Sequence, residues 1–331
     1  MNKEPYFCDF MMSIGPHCRP AINMRYNNRR DLSSPLDWMM DYSLETVIHL
    51  FRCEFDDFFE QILEDDSKAG TANGMRWVTD KKNGIISIHH FPLETSLEQA
   101  LPIFYQKMNY RFKRLNNCLK CAQKVVLVTA RNESVEEINE FINDFSQIYG
   151  SIHGRLINIR NNEQLGFNEI ISKSVETNNR IDYIDYSIND TNKGVFDPNG
   201  NTSVWSRILF EYDTKHSREC RDKLMDFWRK KEKPLIFGAG KRSQRIMDYL
   251  SNTGLEIGGF AVTSMSDNPY SVHGVDVKPY FDYPKDSTFI IGVESPAEQK
   301  KYQICFAKII IEMYLCLIRI WNYARVEIKR A

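Results

Sequence analysis

The sequence predicts an α/β protein: an N-terminal three-layer α/β domain followed by a smaller Rossmann-like βαβ domain. Three observations predict it. Val125-Val-Leu-Val-Thr129, the amphipathic segment from Ser134 to Tyr149 and the run from Arg155 to Ile159 read as strand, helix and strand, the unit of a buried parallel sheet. Pro234-Leu-Ile-Phe-Gly-Ala-Gly-Lys-Arg-Ser243 reads as a second strand, a glycine turn and the start of a helix. A chain of 331 residues with 42% hydrophobic content is also long enough to build two cores.

Taken in order, residues 5–14 read as a strand and Cys18 to Tyr26 as a helix. Glu45 to Leu63 reads as a helix by the spacing of Val47, Leu50, Phe51, Phe55, Phe58 and Phe59, which marks a core face. Trp77 and Ile85 to His89 read as strands around the Lys81-Lys-Asn-Gly84 turn, a hairpin signal. Ser96 to Ala122 is mostly helical, and Glu136 and Glu137 suit the first turn of the helix that begins after Ser134. The polar, turn-rich segment from Asn161 to Tyr212 closes the first domain, and a helix from His216 to Lys231 follows. The domains expected are therefore residues 1–215, a linking helix at 216–232, the Rossmann-like domain at 233–300 and an amphipathic helix at 301–331.

A formal net charge of −1 supplies no electrostatic reason to bind nucleic acid or an anionic membrane. Eight cysteines in a chain of this length, with no apolar leader around Glu4 and Asp9, read as reduced thiols of a cytoplasmic protein. Cys118-Leu-Lys-Cys121 has zinc-like spacing but no second Cys or His pair at a matching distance, and it sits in a helical pattern, so no metal is expected there. Lys308, Glu312 and Arg319 interrupt the apolar C-terminal stretch, which argues against an integral membrane span.

Cys18 follows an apolar strand and the Gly15-Pro16 turn. A thiol at the start of a helix lies near backbone amides that favour its thiolate. His89, delivered from another strand, is the candidate base, and a Cys followed by a distant His is the chain order of papain-type hydrolases. Asp37, in Pro35-Leu-Asp-Trp38, suits either orienting that imidazole or capping a following helix. The Ser-Ile-Gly-x-x-Cys-x-x-Ala motif, Pro35-Leu-Asp-Trp38, Phe55-Asp-Asp-Phe-Phe59 and the His89 strand resemble a bacterial family of unknown function described as papain-like cysteine peptidases. The likeness covers about the first half of the chain. It implies a cysteine hydrolase that needs no cofactor and acts on a small-molecule, peptide or glycan substrate. That family tends to place Asp after the strand-end His, whereas this chain has His90. A buried structural thiol at Cys18, in a non-catalytic binding module, is the alternative.

In the second region Gly238 permits a tight turn, Gly240 lets backbone amides approach a phosphate, and Ser243 replaces the third glycine, which predicts looser helix-to-strand packing. The next strand ends Ala261-Val-Thr-Ser264 without the carboxylate that binds a dinucleotide's ribose, which disfavours NAD. The region resembles the small Rossmann-like domains of polysaccharide-biosynthesis proteins, which implies a nucleotide or nucleotide-sugar ligand and a role in surface-glycan assembly as the alternative to peptidase chemistry.

Overall fold

The computed structural model describes residues 4–71, 74–177, 180–191, 194–228, 233–284 and 287–293, so the helix expected at 301–331 lies outside the described residues. Among the described residues, the chain divides into two compact units: residues 4–24, 29–204 and 212–215, and residues 25–28, 205–211 and 216–293.

In chain order the first elements are β1 (Tyr6–Phe7), β2 (Phe10–Ser13), α1 (Cys18–Tyr26), β3 (Met39–Met40), α2 (Leu44–Arg52), β4 (Ile62–Glu64), β5 (Val78–Asp80), β6 (Ile86–Ser87), α3 (Leu97–Cys121), β7 (Lys124–Thr129), α4 (Val135–Ile148), β8 (His153–Asn161), β9 (Ile170–Val175), β10 (Ile181–Ile188), α5 (Thr202–Leu209) and β11 (Tyr212–Asp213). The main sheet has the order β2-β7-β8-β10-β9, with every pair parallel except the antiparallel edge strand β9. Phe10, Met12, Val125, Leu127 and Leu156 pack into the aromatic core with residues of α2, α3 and α4. The alternate residues Met11, Val126, Val128 and Ile157 are just as deeply buried. Side chains alternate across a strand, so both faces of this sheet are covered, as the three-layer reading expects.

The helices follow local chemistry. Ser134 and Glu137 form a reciprocal capping box that satisfies amides at the start of α4, and Ile138, Phe141, Ile142 and Phe145 recur at helical spacing on its buried face. Residues 45–63 are helical only through Arg52. Glu54 (φ 54°), Phe55 (φ 62°) and Phe59 (φ 59°) then turn the chain in the left-handed region. Phe55, Phe58 and Phe59 are still buried, carried there by turns rather than by a helix face.

The expected strand at 5–14 is split. The Asp9 carboxylate accepts the amides of Gln123 and Lys124, and β1 pairs with β11 in a separate parallel ribbon. The polar segment 161–212 contains β9, β10 and α5, which composition hid. A small antiparallel sheet, β3-β6-β5-β4, includes the expected hairpin and ends near His89.

The second unit contains α6 (Lys215–Trp228, all but its first residue), β12 (Leu235–Phe237), α7 (Lys241–Asn252), β13 (Gly259–Val262), β14 (Ser271–Val272), β15 (Val275–Pro279) and β16 (Phe289–Ile291). Its sheet runs β14-β15-β13-β12-β16, parallel apart from β14. The strand order therefore reverses between β12 and β16, where α/β sheets open a crevice at the carboxyl ends of their strands. Among the described residues, no helix is long and apolar enough to cross a membrane.

Candidate active site

The β2-to-α1 junction is fixed from several sides before it presents Cys18. The Gly15 carbonyl accepts the Thr129 hydroxyl at 2.7 Å and the Ala130 amide at 3.4 Å. The buried Arg131 guanidinium donates to the carbonyls of Ile14 and Tyr42, each at 2.8 Å, and to Glu133 at 2.6 Å. Arg131 thus ties the end of β2 to the loop before α2, a positioning role that no sequence pattern announced.

Cys18 opens α1 as expected and is partly buried. Its own backbone amide stabilises the thiolate, but burial outweighs that effect and the Asp37 charge adds to it, so the thiol pKa is pushed up to about 11. The expectation of a thiolate favoured by helix amides is thus reversed here: desolvation is the larger effect. The neighbouring His17 is pushed the other way, down to about 4, by burial and by the charges of Arg19 and Arg131. Its buried Nδ1 has no hydrogen-bond partner among the described residues. A histidine so hard to protonate is a poor proton acceptor for its neighbour's thiol.

Asp37 is buried, and its Oδ2 receives Arg30 Nε at 2.8 Å, Arg30 Nη2 at 2.5 Å and the Ser34 amide at 3.1 Å. The carboxylate therefore holds a guanidinium and a turn. The helix that follows, α2, is capped by Ser43 instead, and among the described residues no imidazole bonds to Asp37. Arg30 lies over the Trp38 ring, 5.7 Å from its centroid, and His89 meets Trp38 edge to face with centroids 5.8 Å apart. The structure thus brings Cys18 within electrostatic range of Asp37 and links Asp37 to His89 through Arg30 and Trp38. No hydrogen bond joins Cys18 to His89.

Trp38 (φ 70°) and Asp41 (φ 59°) hold left-handed backbone, which costs on the order of 1–3 kcal/mol at a non-glycine residue and persists only where surroundings enforce it. His89 is solvent-exposed, beyond the end of β6, and what desolvation it meets lowers its pKa. His90 turns the other way, with Nδ1 2.9 Å from the Ser87 hydroxyl and its ring against buried Phe104.

In the second unit a cavity of about 420 Å³ lies at the β12/β16 reversal, lined by Gly238, Gly240, Lys241, Arg242, Thr263 and Asn268 among others. Gly238 and Gly240 thus share one crevice, whereas the Ser243 hydroxyl bonds the Gly292 carbonyl at 3.2 Å. The packing expected to loosen at Ser243 is close: a Cβ on Gly292 would lie 2.1 Å from the Ser243 hydroxyl oxygen. The missing glycine has in effect moved to the facing strand end.

Fold and site together define an α/β protein whose first unit presents a cysteine at a strand-to-helix junction. Residues 9–156, under half of the chain, match a family described as putative papain-like cysteine peptidase. No curated protein and no solved structure matches the chain.

Proposed function

We propose that the first unit is a thiol-dependent acyl hydrolase or acyl transferase of papain-like chemistry, with Cys18 as nucleophile and His89 as base. The observation that carries the reading is the placement of Cys18 at the first position of α1, at a strand-to-helix junction inside the segment that matches the peptidase family. The sulfur adds to a substrate carbonyl carbon as its proton passes to His89. The adduct then collapses as His89 returns the proton to the leaving group, and water or a second acceptor cleaves the thioester. Amides at the start of α1 face the developing oxyanion. Asp37 acts indirectly, by holding Arg30 beneath Trp38, against which His89 packs.

Turnover of small thioesters and esters by the full chain tests this. Loss of turnover and of a trapped acyl group in Cys18→Ala, with a decrease of roughly 10²–10⁴-fold in His89→Ala, supports it. Unchanged turnover in Cys18→Ala sinks it.

The cavity at the β12/β16 reversal favours a separate reading for the second unit: a nucleotide or nucleotide-sugar whose phosphate faces the Gly240 and Lys241 amides. Gly240 has φ −80° and a Cβ there meets nothing within 4 Å, so Gly240→Val narrows the cavity without straining the backbone. A uridine-diphosphate thermal shift that Gly240→Val abolishes supports this ligand class, and no shift in the unmodified protein rules that nucleotide out.

A further inference from the structure

We propose that His49, Cys53 and Asp57 form a zinc-binding site in the first unit, separate from the Cys18 junction. Their ligand atoms all lie within 4.8 Å of one another, the compact His/Cys/carboxylate group found among the described residues.

The chain builds the site from one helix end. His49 and Cys53 are four residues apart on α2 and at its C-cap, so they share a face. The left-handed Glu54 and Phe55 then reverse the chain, with the Phe55 amide donating to the Leu50 carbonyl at 2.9 Å. Phe55 and Phe58 are drawn into the core. Asp57 is brought back beneath the helix end. Its Oδ2 lies 2.7 Å from His49 Nε2, and its Oδ1 accepts the Cys53 thiol at 3.2 Å.

Zinc bonds of about 2.0–2.3 Å in tetrahedral array place ligand atoms about 3.5 Å apart, which small side-chain rotations of this trio reach. One nitrogen, one sulfur and one oxygen suit zinc, whereas calcium and magnesium take oxygen alone. Asp57 also carries a cationic neighbour, the Lys82 ammonium at 2.8 Å. The Asp57 carboxylate faces Lys82, His49 and Cys53 together, and zinc takes over that neutralising role. On binding, the Cys53 thiol gives its proton to solvent, the His49 proton moves from Nε2 to Nδ1 so that Nε2 coordinates as neutral imidazole, and the two anionic ligands balance the ion's charge. His49 is half exposed, which leaves the fourth position to water.

Zinc titration of the chelator-stripped full chain against a colorimetric chelator tests the site, with cobalt as a spectroscopic substitute. The expected result is one equivalent of zinc and a thiolate-to-cobalt charge-transfer band. Cys53→Ser should abolish the band, and both it and His49→Gln should weaken zinc binding by at least about tenfold, the scale on which even outer-shell changes act. Cys121→Ser and Cys220→Ser should leave binding unchanged, with circular dichroism confirming the fold of each variant. Failure to bind zinc, binding that survives Cys53→Ser and His49→Gln, or binding that follows Cys220, four residues from His216, overturns the proposal.

Discussion

The Tyr42 ring occupies the space into which a side chain on Gly15 would project: a Cβ there would lie 1.8 Å from the Tyr42 hydroxyl oxygen. Gly15 also holds φ 76°, so conformation and space both require glycine at the turn that leads to Cys18. Tyr42 is buried, its hydroxyl donates to the Leu36 carbonyl at 3.2 Å, and its own carbonyl accepts Arg131. The aromatic wall behind the turn is therefore unable to retreat cheaply.

Gly15→Ala is accordingly expected to destabilise the protein by about 3 kcal/mol or more, combining left-handed strain with overpacking. Tyr42→Ala removes the clash but not the strain, so the double variant should be more stable than the sum of the two single losses implies. Denaturant midpoints of the four proteins measure the coupling. Simple additivity would mean that the ring and the turn do not press on each other.

The elevated pKa of Cys18 predicts an alkylation rate that climbs with pH well past neutrality, toward about 11. Burial is the larger cause and the Asp37 charge a smaller one, so Asp37→Asn should shift the profile to lower pH while releasing Arg30 from its anchor. Iodoacetamide labelling followed by mass spectrometry reads the profile. A resting thiol already reactive at neutral pH, or a profile indifferent to Asp37, would show that burial and this carboxylate do not govern the sulfur.

Much of this arrangement was legible in the sequence. The α1 boundaries, the β7–α4–β8 unit and the strands from β12 to β16 follow from apolar runs, caps and glycines, which are local signals. The aromatic run from Phe51 to Phe59 announced a core but hid its route into it, because helical spacing cannot reveal that Glu54 and Phe55 turn left-handed. Ile181-Asp-Tyr-Ile-Asp-Tyr-Ser-Ile188 carries a strand alternation that its polar flanks masked, yet β10 lies inside the sheet. At the candidate site, the position of Cys18 was readable, whereas Asp37 bonding Arg30 and Arg131 bracing two loops depend on tertiary contacts that no spacing encodes.

His17 predicts an acid-sensitive fold. Its pKa falls from an ordinary 6.5 to about 4 in the folded protein, chiefly through burial and then through Arg19 and Arg131. Between these values the unfolded chain binds the proton that the native state refuses, so stability is fully present above about pH 6.5 and declines as pH falls toward 4. The ceiling on this linkage is roughly 3 kcal/mol, at about 1.4 kcal/mol per unit. His17→Gln should flatten the profile in that window by about one proton, over a background from His89 and His90, whose pKa values are also lowered. Urea unfolding at pH 7, 5.5 and 4.5 measures it, and an unchanged slope would show that His17 titrates normally in the fold.

Arg29 and Asp213 form a fully buried ion pair, with Nη2 3.1 Å from Oδ1 and neither side chain exposed. Arg29 Nε also donates to the Tyr212 carbonyl at 2.7 Å, which fixes the guanidinium beside the β1–β11 ribbon. Two charges removed from water are costly, and removing one partner of a buried pair costs about 3–5 kcal/mol. Arg29→Met is therefore expected to lose that much, whereas Arg29→Met with Asp213→Leu should recover a large part of it, since an apolar pair of similar bulk carries no desolvation cost. Urea midpoints at constant slope decide the matter. If the single replacement costs less than about 1 kcal/mol, the scale of exposed pairs, water reaches this pair and its burial is not the source of its energetics.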